Sequence, residues 1–469
     1  MVIRSKRLRY PSSGARHSLS NAKTRPDIFI VSMGCPRNLV DSEVLAGSLK
    51  SKGFRILHKL GNGNNTAAIV NTCGFIEDAK NESIDIILEL ADLKRQGKLA
   101  FLIVTGCLSQ RYSKNLIKEI SEIDGIFGSG TFFKIPEYMG EVLEGKKPVI
   151  IDRIPSFLYD HTFPRVVITP KHSVYVKVQE GCMNNCSYCV IPRLRGRFRS
   201  RDMDSLLNEI SVLREKGAKE INLIGQDTTL YGIDRYKELR LAKLLKEASR
   251  IMKNRWVRIL YTHPAHYTEE LIGVVHDSLS ICKYLDIPIQ HISDKMLKRM
   301  NRHISKKNII SLIKKLRKSI PGLAIRTSVM VGFPGETDRD FDELENFVKD
   351  IKFERLGAFI YSREEGTKAF DFSEQISHAE KKSRFDRIMK AQREVSTQVN
   401  GEYMNKVKDV LIDETRPAAP GCYVGRTEHD APEVDGMIYV RSERALKAGD
   451  LVKVKIEDTM EYDLVGSAL

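Results

Sequence analysis

Six of the eight cysteines in this chain of 469 residues fall into two sets whose surroundings could hold inorganic clusters. Cys182, Cys186 and Cys189 form a C-x3-C-x2-C run on one short segment, with Gly181 and Asn184–Asn185 to keep the loop tight. Three thiolates spaced in this way can hold three irons of a 4Fe–4S cube and leave the fourth iron open. An open iron lets a cluster bind S-adenosylmethionine (AdoMet) and pass it one electron. Zinc is the rival reading, but a structural zinc site needs a fourth Cys or His. None lies within twenty residues downstream of Cys189. Three buried thiols without a ligand are a third reading, which the spacing and the Gly and Asn neighbours disfavour.

Cys35, Cys73 and Cys107 are the second set. Taken singly, each is an ordinary buried thiol. Yet Met33-Gly34-Cys35, Thr72-Cys73-Gly74 and Gly106-Cys107 each put a cysteine beside glycine just past an apolar run. If those runs are parallel strands, their C-terminal ends converge on one crevice and the three thiols face one another there. They could then hold a second cluster with its own open iron. Cys282 and Cys422 have no such neighbours and read as structural.

The elements that must position these residues follow from periodicity. Ile28–Ser32, Ala67–Asn71 and Phe101–Thr105 read as buried strands, and Leu39–Ser51, Glu77–Leu93 and Ser113–Ser121 as helices. This alternation predicts a doubly wound parallel α/β domain ending near residue 145, followed by a proline-containing linker over 146–167. Residues 168–399 repeat the theme. Strands are expected at Val174–Val178, Ile221–Gly225, Val257–Tyr261, Tyr284–Pro288, Ile325–Val331 and Leu356–Tyr361. Helices are expected near 204–216, 239–253, 268–280, 294–318, 338–350 and 384–399. Six β/α repeats predict an incomplete (β/α)6 barrel with its chemistry at the C-terminal strand ends. Residues 400–469 read as a small all-β barrel with strands at Val407–Asp413, Met437–Val440, Leu451–Glu457 and Tyr462–Val465.

Composition narrows the class. With 42% hydrophobic and 29% charged residues the protein has ample core for several domains. It has no apolar stretch of the roughly 18 residues that a membrane helix requires. The start lacks an apolar secretory core, so the cysteines are expected to stay reduced in the cytoplasm. The formal net charge is +15. Residues 1–26 hold Arg4, Lys6, Arg7, Arg9, Arg16, Lys23 and Arg25 and no acid, and read as a solvated basic arm, with an organelle transit peptide as the alternative. Residues 401–469 carry nine basic and fourteen acidic side chains. Arg193, Arg195, Arg197, Arg199 and Arg201 alternate just after the cluster loop. An extended segment would aim all five at one face, either as a solvated edge or as a basic lip for a carboxylate.

These residues carry a resemblance. From Asp27 onward the sequence resembles the methylthiotransferase group of radical-AdoMet enzymes. The matching pieces are Ser32–Glu43, Asn71–Ile76, Gly106–Cys107, Gly181–Cys189 and Gly332–Glu336. Gln226–Thr229, Tyr261–Pro264, Ile287–His291, Tyr361–Gly366 and Asp430–Gly436 are similar to the branch that modifies an aspartate of small-subunit ribosomal protein twelve. By this resemblance the terminal barrel is a TRAM domain.

The resemblance implies two 4Fe–4S clusters facing each other across a domain junction, and two AdoMet molecules per turnover. One cluster, on Cys182, Cys186 and Cys189, generates a 5′-deoxyadenosyl radical. The other, on Cys35, Cys73 and Cys107, presents a methylated sulfur to the carbon radical. Tyr188 is expected against the adenine, and Gly225, Gln226 and Asp227 near the AdoMet amino group. Gly332, Pro334 and Glu336 belong to a turn that lets backbone approach the adenosine. A flavodoxin or ferredoxin is expected as electron donor. RNA contact is expected only if the ribosomal protein is modified on the ribosome.

The alternatives are a transfer-RNA adenosine methylthiotransferase and a non-enzymatic iron–sulfur protein that binds ribosomes. The acidic surplus of the last segment, with Asp413, Glu414, Glu428, Asp430, Glu433 and Asp435 at its turns, is expected to repel RNA and attract a basic ribosomal protein.

Overall fold

In a computed structural model that describes residues 25–60, 65–416 and 419–469, the protein packs as two units. The first holds the described residues up to Thr169 together with Glu180–Met183 and Val190–Arg199. The second holds Pro170–Gln179, Asn184–Cys189 and Ser200–Leu469. The basic arm expected over 1–26 lies outside the described residues except for Arg25 and Pro26.

The first unit is a six-stranded parallel sheet. Its strands are β1 (Asp27–Ser32), β2 (Ile56–Leu57), β3 (Thr66–Thr72), β4 (Phe101–Gly106), β5 (Gly125–Phe127) and β6 (Val149–Ile150), in the order β2-β1-β3-β4-β5-β6. Helices α1 (Pro36–Ser51), α2 (Glu77–Arg95), α3 (Cys107–Glu119) and α4 (Ile135–Leu143) connect them. Every residue of β3 is buried, as in a strand covered on both faces. On one face Phe29, Val31, Ala68, Val70, Leu102 and Val104 pack in one core with Ile87, Leu90 and Ala91 of α2.

Three boundaries differ from expectation. The sheet does not stop near 145: β6 pairs with β5, and two residues alone carry too little periodicity to announce a strand. The rest of the segment read as a linker is also tied down. Arg165 donates to the buried Glu43 carboxylate at 2.9 Å, and the Ile168 amide does so at 2.8 Å. Helix α3 starts at Cys107 rather than Ser113, because non-helical backbone at Tyr112 interrupts the pattern that would have revealed its first turn.

The second unit contains an open six-stranded parallel sheet. Its strands are β7 (Ser173–Lys177), β10 (Glu220–Ile224), β11 (Trp256–Ile259), β12 (Ile281–Asp286), β13 (Ala324–Val331) and β14 (Arg355–Ile360), in the order β14-β13-β12-β11-β10-β7. All six expected strands are present. Short strands β8 (Gln179–Glu180) and β9 (Arg199–Ser200) bracket the cysteine loop in sequence, with the short helix α5 (Ile191–Arg195) between them. The connecting helices are α6 (Met203–Glu215), α7 (Ile233–Tyr236), α8 (Leu241–Ile251), α9 (Glu269–Asp277), α10 (Asp294–Arg299), α11 (Lys306–Ser319) and α12 (Asp338–Ile351). The single helix expected over 294–318 is thus two, separated by a turn at Asn301–His303.

Helix α13 (His378–Gly401) leads into a closed five-stranded barrel of β15 (Val407–Thr415), β16 (Cys422–Thr427), β17 (Ile438–Arg441), β18 (Leu451–Thr459) and β19 (Leu464–Ala468). Strand β16 has buried polar residues at Arg426 and Thr427, which hid it from an apolar pattern. No helix among the described residues is long and apolar enough to cross a membrane.

The acids of the small barrel are not a free surface. Asp430 accepts two bonds from Arg355, at 2.9 and 2.6 Å. Asp435 accepts from Tyr284 at 2.7 Å and from Arg326 at 3.3 Å, and Asp413 accepts from Arg426 at 2.8 Å. Glu428 accepts the Lys283 amide at 2.9 Å. Glu220 of β10 completes the junction, bound by Arg258 at 2.9 Å and Arg426 at 2.8 Å. Three of the six acids expected to attract a basic partner, Glu428, Asp430 and Asp435, are therefore engaged in joining the small barrel to the parallel sheet, and Asp413 is paired with Arg426 inside the barrel. To that extent the acidic surplus says nothing against RNA.

Candidate functional site

In the first unit, β3 and β4 run directly into Cys73 and Cys107, and Cys35 lies three residues past the end of β1. The strand ends are drawn together by close approaches that a side chain would forbid. A β-carbon on Gly34 would lie 2.6 Å from the Cys73 β-carbon, and one on Gly74 would lie 2.8 Å from the Cys107 carbonyl carbon. The glycine beside each cysteine is therefore what allows the next strand end to come close. Asn38 ties the same ends from α1: its Nδ2 donates to Met33 O at 3.0 Å and to Thr72 O at 2.9 Å. Ser83 clamps Cys73, accepting from its amide and donating to its carbonyl, both at 3.1 Å.

The electrostatics of the trio divide it. Burial pushes the Cys73 thiol up to about 12, helped by the neighbouring Cys35 and Cys107. Burial also pushes Cys107 up. Cys35 is opposed by burial too, but Arg37 and Arg195 more than reverse this, and its thiol ends below the ordinary range. Cys35 sits at the N-terminus of α1, and Cys107 is the first residue of α3, where helix dipoles favour a thiolate.

Among the described residues, the trio whose ligand atoms all lie within 4.8 Å of one another is Asp227, His263 and His266, not these thiols. A single zinc, with bonds of about 2.3 Å, would want its sulfurs about 3.8 Å apart.

Arg195 is the residue that sequence reasoning left unassigned among five arginines. The expected alternation fails because Arg193 and Arg195 lie on helix α5. Arg195 and Arg201 are buried, while Arg193 and Arg197 are exposed. The Arg195 guanidinium binds Asp41 at 2.5 Å and Glu180 at 3.5 Å, and also donates to Asn38. Arg201 serves a structural pairing with Glu209 at 2.6 Å.

In the second unit, the segment Cys186–Cys189 is fastened to the end of α10. The Ser187 amide donates to Met300 O at 3.0 Å, and Ser187 Oγ to Arg299 O at 2.9 Å. Tyr188 is half-buried, with its ring edge-on to Phe333 of the 332–336 turn. The loop and that turn, matched separately in sequence, thus meet through aromatic packing. Asn184 donates to Asp227 at 2.6 Å, which ties the loop to the end of β10.

Two expected ligand residues are already engaged. Besides Asn184, the Asp227 carboxylate accepts from the Thr229 amide at 3.1 Å and pairs with His266 Nδ1 at 3.0 Å. Glu336 receives Gly332 N at 2.7 Å, Arg384 at 2.6 Å and His291 at 3.1 Å. Each carboxylate organises its neighbours instead of standing open. The Pro334 carbonyl accepts from Arg299 at 2.8 Å. At Gly225 a β-carbon would strike the Gln179 side chain at 2.6 Å. Gln179 is fully buried, and neither its Oε1 nor its Nε2 has a partner.

Sequence reasoning missed Gln179, His263, His266 and Arg302. His263 stood inside a quoted motif, whereas Gln179 and Arg302 had no signal until the strand ends were placed.

The comparisons fit this architecture. The protein matches the Radical SAM superfamily over residues 176–348, the Uncharacterized protein family UPF0004 over 27–128 and the TRAM domain over 406–469. These define a radical-AdoMet enzyme with an added α/β unit and a terminal barrel. The chain belongs to the family of ribosomal protein uS12 methylthiotransferases called RimO. It is 47% identical to the Desulforamulus reducens member over 94% of this chain and 99% of that one. It is 48% identical to a Thermoanaerobacter member over 94% and 99%. Among solved structures it is similar in fold to the radical S-adenosylmethionine methyltransferase TsrM of Kitasatospora setae. That match has a TM-score of 0.52 at 14% identity and covers 71% of this chain and 73% of that one.

Proposed function

We propose that this protein adds a methylthio group to the β-carbon of an aspartate in ribosomal protein uS12, using two 4Fe–4S clusters and two AdoMet molecules per turnover. The observation that carries the reading is the second thiol set. Cys35, Cys73 and Cys107 follow three adjacent parallel strands, and each lies in the field of the others. A second cluster on these thiols would hold the sulfur to be transferred apart from the cluster that cleaves AdoMet. The donor sets fit the groups: three thiols per cube leave one iron open. The unpartnered amide of Gln179 beside Gly225 marks a buried polar cradle for AdoMet.

When bound, the clusters and AdoMet supply one-electron chemistry and a transferable methylated sulfur, which the aspartate β-carbon requires because no general base is strong enough to ionise its C–H bond. The protein's own part is to hold and insulate. Gly34 and Gly74 permit the strand ends to close, Asn38 and Ser83 fix them, and Arg195 supplies buried positive charge beside the thiols. Around AdoMet we assign Tyr188, Gly225, Gln226 and the Gly332–Phe333–Pro334 turn as contacts. Asp227 and Glu336 orient their neighbours there. Reaction in the cytoplasm, with a flavodoxin or ferredoxin as donor, keeps the thiols reduced. RNA contact arises only if uS12 is taken on the ribosome.

The substrate assignment is supported by the names of the relatives, which say uS12. Anaerobically reconstituted protein, incubated with AdoMet, reductant and either uS12 or transfer RNA, is expected to add methylthio mass to an aspartate peptide of uS12. Mass on the RNA alone would overturn the assignment. Failure to release 5′-deoxyadenosine with either would overturn the enzyme reading.

A further inference from the structure

Beyond α10 the backbone turns through two non-glycine residues in left-handed conformation, Asn301 (φ 57°) and His303 (φ 49°). Such conformations are costly for residues with a β-carbon and persist where the surroundings impose them. One of them is anchored on the cysteine loop: Asn301 Nδ2 donates to Asn185 O at 2.9 Å. Between the two stands Arg302. It is only 6% exposed. Its Nη2 donates to Pro288 O at 2.5 Å, and its Nη1 lies 3.9 Å from Cys186 Sγ. Its Nε–H is buried without any partner, and no ion pair forms on it among the described residues.

A buried guanidinium stays charged, since arginine does not deprotonate in proteins. Leaving that charge unbalanced in a low-dielectric interior is expensive. Arg195, which also lies beside cysteines, has two carboxylates bonded to it; Arg302 bonds only a carbonyl and a sulfur, with the Asp227 carboxylate acting on it without a hydrogen bond. Negative charge on the sulfur it bonds would complete its balance.

We propose that Arg302 is a positioning residue for the cluster on Cys182, Cys186 and Cys189, its guanidinium donating to the Cys186 sulfur and offsetting the negative charge that the cluster gains on reduction. This rests on the reading of that trio as cluster ligands. Hydrogen bonds and positive charge at a cluster sulfur raise the reduction potential. The electron itself comes from an external one-electron reductant; Arg302 exchanges neither proton nor electron. Its effect is on how readily the cluster accepts that electron before AdoMet is cleaved.

The test is an anaerobic redox titration followed by electron paramagnetic resonance. It uses the full-length protein with Cys35→Ala, Cys73→Ala and Cys107→Ala, so that one cluster reports. In that background Arg302→Gln is expected to keep about four irons per molecule. Its ratio of reduced to oxidised cluster at a fixed potential should fall about tenfold, about 59 mV for a one-electron couple. Arg302→Lys should recover part of the loss. Unchanged potentials in both variants overturn the proposal. Weakened AdoMet binding at an unchanged potential also overturns it, and places Arg302 on a ligand carboxylate instead.

If Arg302→Gln loses its iron, Arg302→Lys carries the test: a smaller shift in the same direction supports the proposal and no shift ends it. If the triple-alanine background folds poorly, the signal perturbed by added AdoMet identifies the same cluster in the otherwise unaltered protein. A parent that binds no iron on Cys182, Cys186 and Cys189 defeats the ligand reading, which is a separate result from an unmoved potential.

Discussion

Arg195 and Asp41 stand 154 positions apart in sequence and meet at 2.5 Å, with side chains 3% and 2% exposed. The pair joins the segment after the cysteine loop to α1, on the same helix whose N-terminus carries Cys35. The guanidinium also lies in the field of Cys107 and Cys35. It therefore has two roles, one toward the carboxylates of Asp41 and Glu180 and one toward the thiols.

Removing that charge should separate the two roles. Arg195→Gln leaves two buried carboxylates without their cation and should lower stability by about 3–5 kcal/mol, read as a shift in the urea midpoint. Adding Asp41→Asn and Glu180→Gln should restore much of the stability. Iron should not follow: two cubes should hold about eight irons, and the single and triple variants should both bind fewer, because the thiol field still lacks its cation. Full iron in the triple variant would show that Arg195 serves the carboxylates alone.

The two thiol sets should fail differently. Cys186→Ala is expected to abolish AdoMet cleavage and to lose about half of the iron. Cys73→Ala should keep AdoMet cleavage, measured as 5′-deoxyadenosine, and stop methylthio transfer to uS12. Normal transfer by Cys73→Ala would remove the second site from the account.

How much of this was readable beforehand depends on range. All six strands of the second unit's parallel sheet follow from local apolar runs, because a strand buried on both faces needs no information from elsewhere. The cysteine trios were legible because glycine marks each strand end. Gly34 and Gly74 needed the fold to show their purpose, which is to admit Cys73 and Cys107. Arg195 was only one of five, since helix α5 breaks the alternation that would have sorted them. The acids of the small barrel were misread as surface, because nothing local reveals that Arg326 and Arg355 on separate strands wait for them. Arg302 was invisible for the same reason: its meaning lies 116 residues away at Cys186.

The junction between sheet and small barrel yields a stability prediction. Burial opposes the Glu220 charge, but Arg426 and Arg258 overcome it and hold the carboxyl far below the usual range. Glu220→Gln keeps the shape and removes the charge from between two buried guanidiniums. Breaking such a pair costs about 3–5 kcal/mol. Urea unfolding should show it, with the loss greater than for Lys453→Gln, whose partner Asp409 is exposed. Equal losses would mean that the junction is looser than these distances imply.

The same junction makes stability depend on pH in a window where its Glu220 and Asp430 are silent. His429 is buried against Tyr403, whose hydroxyl lies 3.0 Å from Nδ1. Burial pushes its pKa down to about 3, with Lys408, Arg355 and Arg258 adding to the fall and Asp430 opposing it. His263 is likewise pushed down to about 2, by burial first and then by Arg302. A histidine whose folded pKa lies below its unfolded value of about 6.5 binds a proton more readily in the unfolded state. Its contribution is intact above about pH 6.5 and is lost as pH falls toward the folded value. Each such group tilts stability by up to about 1.4 kcal/mol per pH unit. Between about pH 6.5 and 5 the carboxylates Glu220 and Asp430 are still ionised in both states and add nothing to the slope, while Asp435, pushed up by burial, acts in the opposite sense to the histidines. His429→Gln should therefore flatten the urea midpoint against pH over that range while lowering it overall. Parallel curves for the variant and the unaltered protein would mean that His429 is solvated when folded.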